Sequence, residues 1–132
     1  MLDNTITLPV DVAGNGTLVD KVYTRDEEYL NRAVYTGPGH TLSLRNTLST
    51  YRTKPKKSGN FNGVGKAEFK FTQDYVVPGV DLSTSLVAAT LIDVSTSFPV
   101  GISAANAMDM RQRAIAFLDH QIAIALTEQL QA

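Results

Sequence analysis

The side chains with the clearest chemistry are cations set at alternating positions. Arg45 lies in the segment from Thr41 to Tyr51, and Lys66 and Lys70 lie in the segment from Val64 to Thr72. The stretch between them adds Arg52, Lys54, Lys56 and Lys57. From Thr41 to Gln73 there are seven Lys or Arg against one Glu, a local charge of +6 in a chain whose net charge is -1. Hydroxyls share the parity of these cations: Ser43 and Thr47 in the first segment, Thr72 in the second. In a strand, residues two apart project from the same face. Cations interleaved with hydroxyls suit phosphate and sugar contacts. The candidate RNA-binding set is Ser43, Arg45, Thr47, Lys66, Lys70 and Thr72, with Glu68 included as the residue between the two lysines on the same parity. Tyr51, at the end of the first segment, fits base stacking and packing equally. Solubility alone also places lysines on sheet faces. Two adjacent segments and their connection sharing one sign is what points to a polyanion.

Other chemistries lack their residues. The chain has no Cys, so disulfides, thiolate nucleophiles and thiolate metal sites are excluded. His40 and His120 stand far apart in sequence and outside any metal-ligand spacing; they read as a turn residue and a helix-surface residue. There is no GxSxG, P-loop or GxGxxG pattern, and Asp109 and Asp119 do not read as a carboxylate pair. No nucleophile, base and oxyanion donor assemble. An enzyme is not expected, nor a metal, a cofactor or a small-molecule substrate; a small α+β enzyme would need a pocket of convergent titratable groups.

The elements that must position these cations follow from alternation and punctuation. Leu42, Leu44 and Leu48 fall opposite the polar positions of the first segment, and Ala67, Phe69 and Phe71 opposite those of the second. This predicts an antiparallel pair with one apolar face and one basic face, needing a core behind it. Upstream, Ile6, Leu8, Val10 and Val12 alternate, with Pro9 on the other parity marking an edge strand. Ala13-Gly14-Asn15-Gly16 is a turn, and Thr17 to Thr24 returns to complete an N-terminal hairpin. Arg25 to Glu28 reads as a solvated connection and Tyr29 to Thr36 as a strand, with a helix from Asp26 to Arg32 as the competing reading. Gly37-Pro38-Gly39 is a break. Val76 to Ser85 is a loop that keeps exposed valines, a mark of a contact loop. Leu86 to Ser97 is apolar enough for a central strand, with no readable period.

From Ala104 to Gln131 the pattern is helical, capped by Ser103 or Asn106, with a stripe through Met108, Arg111, Ile115, Leu118, Ile122, Leu126 and Leu130. The stripe shifts register near Asp119-His120, the expected place for a kink. Ile122 to Leu126 is apolar nearly all round, as in a helix buried on two sides. In a domain this small the second side is most economically another subunit, with Leu118, Ile122 and Leu126 at its centre. The 132 residues suit one α+β domain: a hairpin over 1–24, an antiparallel sheet of about five strands over 29–97, and a helix or helix pair over 103–131. No apolar run reaches the ~20 residues needed to span a bilayer, so no membrane partner is expected. Met1 to Thr5 lacks the basic region and apolar run of a signal peptide.

This order of elements resembles the coat protein of levivirus-type single-stranded RNA bacteriophages over essentially the full chain. The local matches are Ser43-Leu44-Arg45 and Lys66-Ala67-Glu68-Phe69-Lys70. The resemblance implies an intertwined homodimer in which two sheets join edge to edge and the C-terminal helices lie across the partner. It implies an icosahedral shell assembled from dimers in the bacterial cytoplasm, single-stranded RNA held against the sheet, and in some members repression of translation through an RNA hairpin. The loop residues Val77, Pro78, Gly79 and Val80 then make contacts between dimers. Three features depart from the pattern: the long lysine-rich loop from Thr53 to Gly63, the lack of a Gly or Pro break in the helix, and the lack of an aromatic-and-Asn pair around Val87 to Leu91. The alternative function is a non-viral dimeric RNA-binding or adaptor module.

Overall fold

The computed structural model describes residues 4–128. Six strands lie side by side in chain order: β1 (Thr5–Val10), β2 (Val19–Tyr29), β3 (Arg32–Thr36), β4 (Asn46–Thr53), β5 (Val64–Pro78) and β6 (Ser85–Pro99). Two helices follow, α1 (Ala104–Leu118) and α2 (Gln121–Glu128). The connections are too short for parallel crossovers, and the neighbours pair antiparallel. The class is α+β as expected, with six strands rather than about five because the N-terminal hairpin continues the sheet. The chain divides into two compact units. One is built from the residues up to 54 together with 65–97; the other, from 55–64 and 98 onward, carries both helices.

Within the sheet unit, β1 is an edge strand, where Pro9 costs no ladder bond; it stands opposite Asp20. The Asp11 carboxylate closes the first turn by accepting the backbone N–H groups of Asn15 and Gly16 at 3.1 and 3.0 Å. The structure then corrects three expectations. Arg25 to Glu28 is not a loop but part of β2, interrupted by a register shift between Arg25 and Glu27. This β-bulge absorbs Asp26 and lets a charged run continue the strand. The third strand starts at Arg32 rather than Tyr29, and no helix forms there. Thr41 to Arg45 stays outside β4, which begins at Asn46. Thr41 donates its N–H to Leu44 O and accepts Leu44 N–H on its hydroxyl, both at 2.9 Å. These local bonds compete with a ladder. Leu42 is consequently fully exposed and Leu44 exposed, so Leu48 alone of the three leucines reaches the core.

The core lies on one sheet face. Tyr23, Ala33, Tyr35 and Leu48 are buried, with Ile6, Leu8 and Phe71 packed against them. Tyr23 meets Phe71 edge-on at 6.1 Å. Asn46, buried at the start of β4, accepts from Tyr23 OH at 3.1 Å and donates its amide to Pro38 O at 3.0 Å. Its backbone N–H donates to His40 Nδ1 at 3.1 Å, which accounts for that histidine. Gly37 leaves room for this cluster: a Cβ there would stand 2.6 Å from Tyr23 Cε1.

β6 is not central but the second edge of the sheet. A strand of 15 residues with Leu86, Val87, Leu91 and Ile92 exposed is a template for pairing with another chain.

In the second unit, Ser103 caps α1 by accepting the N–H of Asn106 at 3.2 Å. Helix α1 buries none of its residues, and α2 buries Ala123. The break between them falls at the expected place without Gly or Pro. His120 accepts the N–H of Ile122 on Nδ1 at 3.2 Å, as an N-cap would, while its ring stacks on Phe117. The continuation to Gln131, with Leu130 on the stripe, lies outside the described residues. In the lysine-rich loop, Gly63 takes φ +93°, and a Cβ there would approach Lys56 O to 2.4 Å.

Candidate nucleic-acid interface

The register assigns the face opposite the core. Thr47 pairs with Thr72, Ser49 with Lys70, Tyr51 with Glu68 and Thr53 with Lys66. Leu48 pairs with Phe71 on the core side, so the alternation expected for both segments holds across the β4–β5 pair. Thr47, Lys66, Glu68, Lys70 and Thr72 are thereby brought together on one polar surface.

Ser43 and Arg45 are not on that surface's ladder, since both precede β4. Arg45 is already engaged. Its guanidinium donates to both oxygens of Asp74 at 3.0 and 3.2 Å, and its backbone N–H donates to Asp74 as well. Those bonds pull Asp74 below the usual carboxylate range and raise Arg45. Arg45 therefore staples the loop to β5 rather than presenting an open cation.

Sequence alternation missed two parts of the surface. Arg32, opposite Tyr51 in β3, lies over the ring of Tyr51 at 5.4 Å and over that of Tyr29 at 5.9 Å. The bulge at Asp26 conceals the parity that brings Tyr29 to this face. The other part is Asp93 of β6, whose carboxyl shares a hydrogen bond with Glu68. That bond, and the charge of Asp93, raise the pKa of Glu68, while Lys70 opposes the rise. Asp93 also fixes the faces of β6. Odd residues share the polar surface, and Ser95 and Ser97 join Tyr51, Lys66 and Glu68 around a hollow of about 380 Å³. Even residues lie on the core side, where Thr90 and Ile92 line a hollow of about 540 Å³ with Leu8, Val10, Tyr23 and Phe71. A lone charge in an apolar strand was the available signal; Val87, Ala89 and Leu91 on the same parity hid it.

The loop from Gly79 to Thr84 is a built turn. Gly79 N–H donates to Thr84 O, and Asp81 accepts from the backbone and hydroxyl of Ser83 at 3.0 and 2.7 Å, which lowers the Asp81 pKa. Val80 at its tip is fully exposed; Val77 and Pro78 end β5, both exposed. Leu118, Ile122 and Leu126 are each more than half exposed. Among the described residues no three His, Cys, Asp or Glu gather as metal ligands, and no helix is long and apolar enough to cross a membrane.

No protein-family model and no curated protein matches the sequence. Solved structures do match its fold. A chain from the virus-like particle of bacteriophage AVE019 superposes with a TM-score of 0.72 over 97% of this chain and 96% of its own, at 18% identity. One from the virus-like particle of Beihai levi-like virus 32 gives 0.70 over 81% and 85%, at 20% identity. One from the virus-like particle of Wenzhou levi-like virus 4 gives 0.64 over 93% and 79%, at 24% identity. This chain has the fold of the chains in those virus-like particles.

Proposed function

We propose that this protein is the coat protein of a levi-like single-stranded RNA bacteriophage, a single coat-protein domain over residues 1–132. It forms a homodimer, assembles as dimers into an icosahedral shell in the host cytoplasm, and holds RNA against the polar sheet face in the virion. The observation that carries this reading is the fold shared with virus-like particle chains over nearly the whole length. Two physical features support it. The long apolar edge of β6 suits pairing with a second β6, joining two sheets into one. Exposed Leu118, Ile122 and Leu126 suit a second copy's apolar sheet face, whose hollow between Leu8, Tyr23, Phe71 and Ile92 is of a size to receive helix side chains. On the opposite face Thr47, Lys66, Lys70 and Thr72 offer phosphate and sugar contacts. Val77, Pro78, Gly79 and Val80 are proposed to meet neighbouring dimers.

The test is expression of the protein alone in bacteria, followed by negative-stain electron microscopy and absorbance at 260 and 280 nm on one fraction. The chain has no Trp and five Tyr, so its own absorbance at 280 nm is weak and packaged RNA dominates the spectrum. Uniform particles rich in nucleic acid are expected. A stable dimer that binds RNA with steep salt dependence and never forms particles would establish the adaptor reading instead.

A further inference from the structure

At one end of the polar face, three side chains from three strands stand together. Tyr29 closes β2, Arg32 opens β3, and Tyr51 nears the end of β4. They stand in one row, since Tyr29 pairs with Arg32 and Arg32 with Tyr51. The Arg32 guanidinium lies over both rings, 5.9 Å from one centroid and 5.4 Å from the other. Tyr29 is 58% exposed, and its hydroxyl donates to Glu27 Oε2 at 2.8 Å, which holds the ring. Arg32 is exposed as well. An exposed arginine normally samples many rotamers, and here contact with two rings restricts it. Ring faces and guanidinium planes are the surfaces on which unpaired bases stack.

Charge orients what binds there. Glu27 shares the polar face with Tyr29 on β2, whereas on β5 Lys66 and Lys70 flank Glu68, the residue opposite Tyr51. A polyanionic backbone is repelled from the Glu27 side and drawn to the two lysines, so its bases reach the patch while its phosphates follow the lysines.

We propose that Tyr29, Arg32 and Tyr51 form a stacking subsite for an unpaired nucleobase of single-stranded RNA. The inference rests on the polar face being the RNA surface, as proposed above. It adds a contact at the β2–β3–β4 end that reads the base plane rather than the phosphate.

The test is fluorescence anisotropy of a short labelled oligouridylate with the purified protein across a salt series. Tyr51→Leu is expected to weaken binding about tenfold without altering the salt slope, because it removes stacking and no charge. Tyr51→Phe keeps the ring and stays within about twofold. Tyr29→Leu, at an exposed position, weakens binding severalfold and serves as the second variant should Tyr51→Leu fold poorly. Lys66→Glu with Lys70→Glu weakens binding and flattens the salt slope. Wild-type affinity in Tyr29→Leu, or in a folded Tyr51→Leu, with the lysine variant impaired would overturn the subsite and leave the RNA face standing. Wild-type affinity in the lysine variant as well would overturn both.

Discussion

Two leucines a few positions apart in one hydrophobic pattern have opposite fates. Leu48 is 5% exposed and packs with Tyr35 and Tyr23, whereas Leu42 is fully exposed in a loop. Leu48→Ala should cost about 2–5 kcal/mol, from lost transfer energy and a residual cavity. Leu42→Ala should fall within about 0.5 kcal/mol of wild type. Urea titration followed by circular dichroism separates them, and equal effects would mean that the loop residue is also packed. Asp74 gives the pH counterpart. Its side chain is 7% exposed and Arg45 holds its pKa below the ordinary 3.8. The folded value lies under the unfolded one, so the stability it contributes is complete above about pH 4 and is lost as the pH falls through the folded value. Asp74→Asn removes that contribution at neutral pH. Its stability should therefore decline less steeply than wild type in acid, read as the denaturation midpoint against pH. A parallel decline in the two proteins would assign the acid sensitivity elsewhere, Asp81 being the next carboxylate with a lowered pKa.

At the scale of elements, the bulge in β2 sets which residues face the core. Asp26 is the extra residue between the pairs Arg25–Tyr35 and Glu27–Val34. Because a strand's period is two, an extra residue would exchange the faces of a regular ladder, and the bulge absorbs that exchange between Tyr23 on the core side and Tyr29 on the polar side. With Tyr29 held opposite Arg32 by the tight Leu30-Asn31 turn, deletion of Asp26 leaves Arg25 opposite Tyr35 and Glu27 opposite Val34 in a regular ladder, so Tyr23 keeps the core face and its bond to Asn46. Retained cooperative unfolding and near-ultraviolet tyrosine dichroism are expected. Loss of both would mean that the hairpin slips rather than closing the bulge. The same element explains what the sequence could and could not reveal. Alternation in Thr47 to Ser49 and Lys66 to Thr72 made the β4–β5 surface readable, because one face is buried and the other wet. Arg25 to Glu28 looked like a loop because four charges in a row hide a strand at a sheet surface where Asp26, Glu27 and Glu28 stay exposed and Arg25 pairs with Glu28. Thr41 to Arg45 alternates like a strand, yet Asp74 and the Thr41 hydroxyl satisfy it as a loop. In β6 both parities are apolar, so neither the faces nor the edge position could be inferred from period alone. The helix break was visible as a shift in the stripe, but its cause, a His120 side-chain cap, carries no Gly or Pro signal.

For the whole molecule, the balance of buried and exposed apolar surface argues that the folded unit is more than one chain. The buried apolar residues among those described are Tyr23, Ala33, Tyr35, Leu48 and Ala123. Helix α1 has none, although Met108, Ile115, Phe117 and Leu118 are all about half exposed. Short helices are marginal in water unless an apolar face is covered, and a long apolar strand edge invites pairing. The proposed second copy would supply cover for both. Charge on the helix stripe and charge on the loop tip should then act at different levels of assembly. Ile122→Asp places an unpaired carboxylate in the proposed dimer core and should weaken dimerisation by about 2 kcal/mol or more, roughly thirtyfold, taking particles with it. Val80→Asp, at the fully exposed tip of an ordered turn, should leave the dimer intact and reduce particles alone. Light scattering coupled to size exclusion reads the two states in one run. Dimers persisting in Ile122→Asp would shift the interface to the β6 edge alone. Normal particles in Val80→Asp would remove the loop from the contacts between dimers. If both variants assembled as wild type, neither surface would hold copies together, and the exposed apolar residues would need another partner.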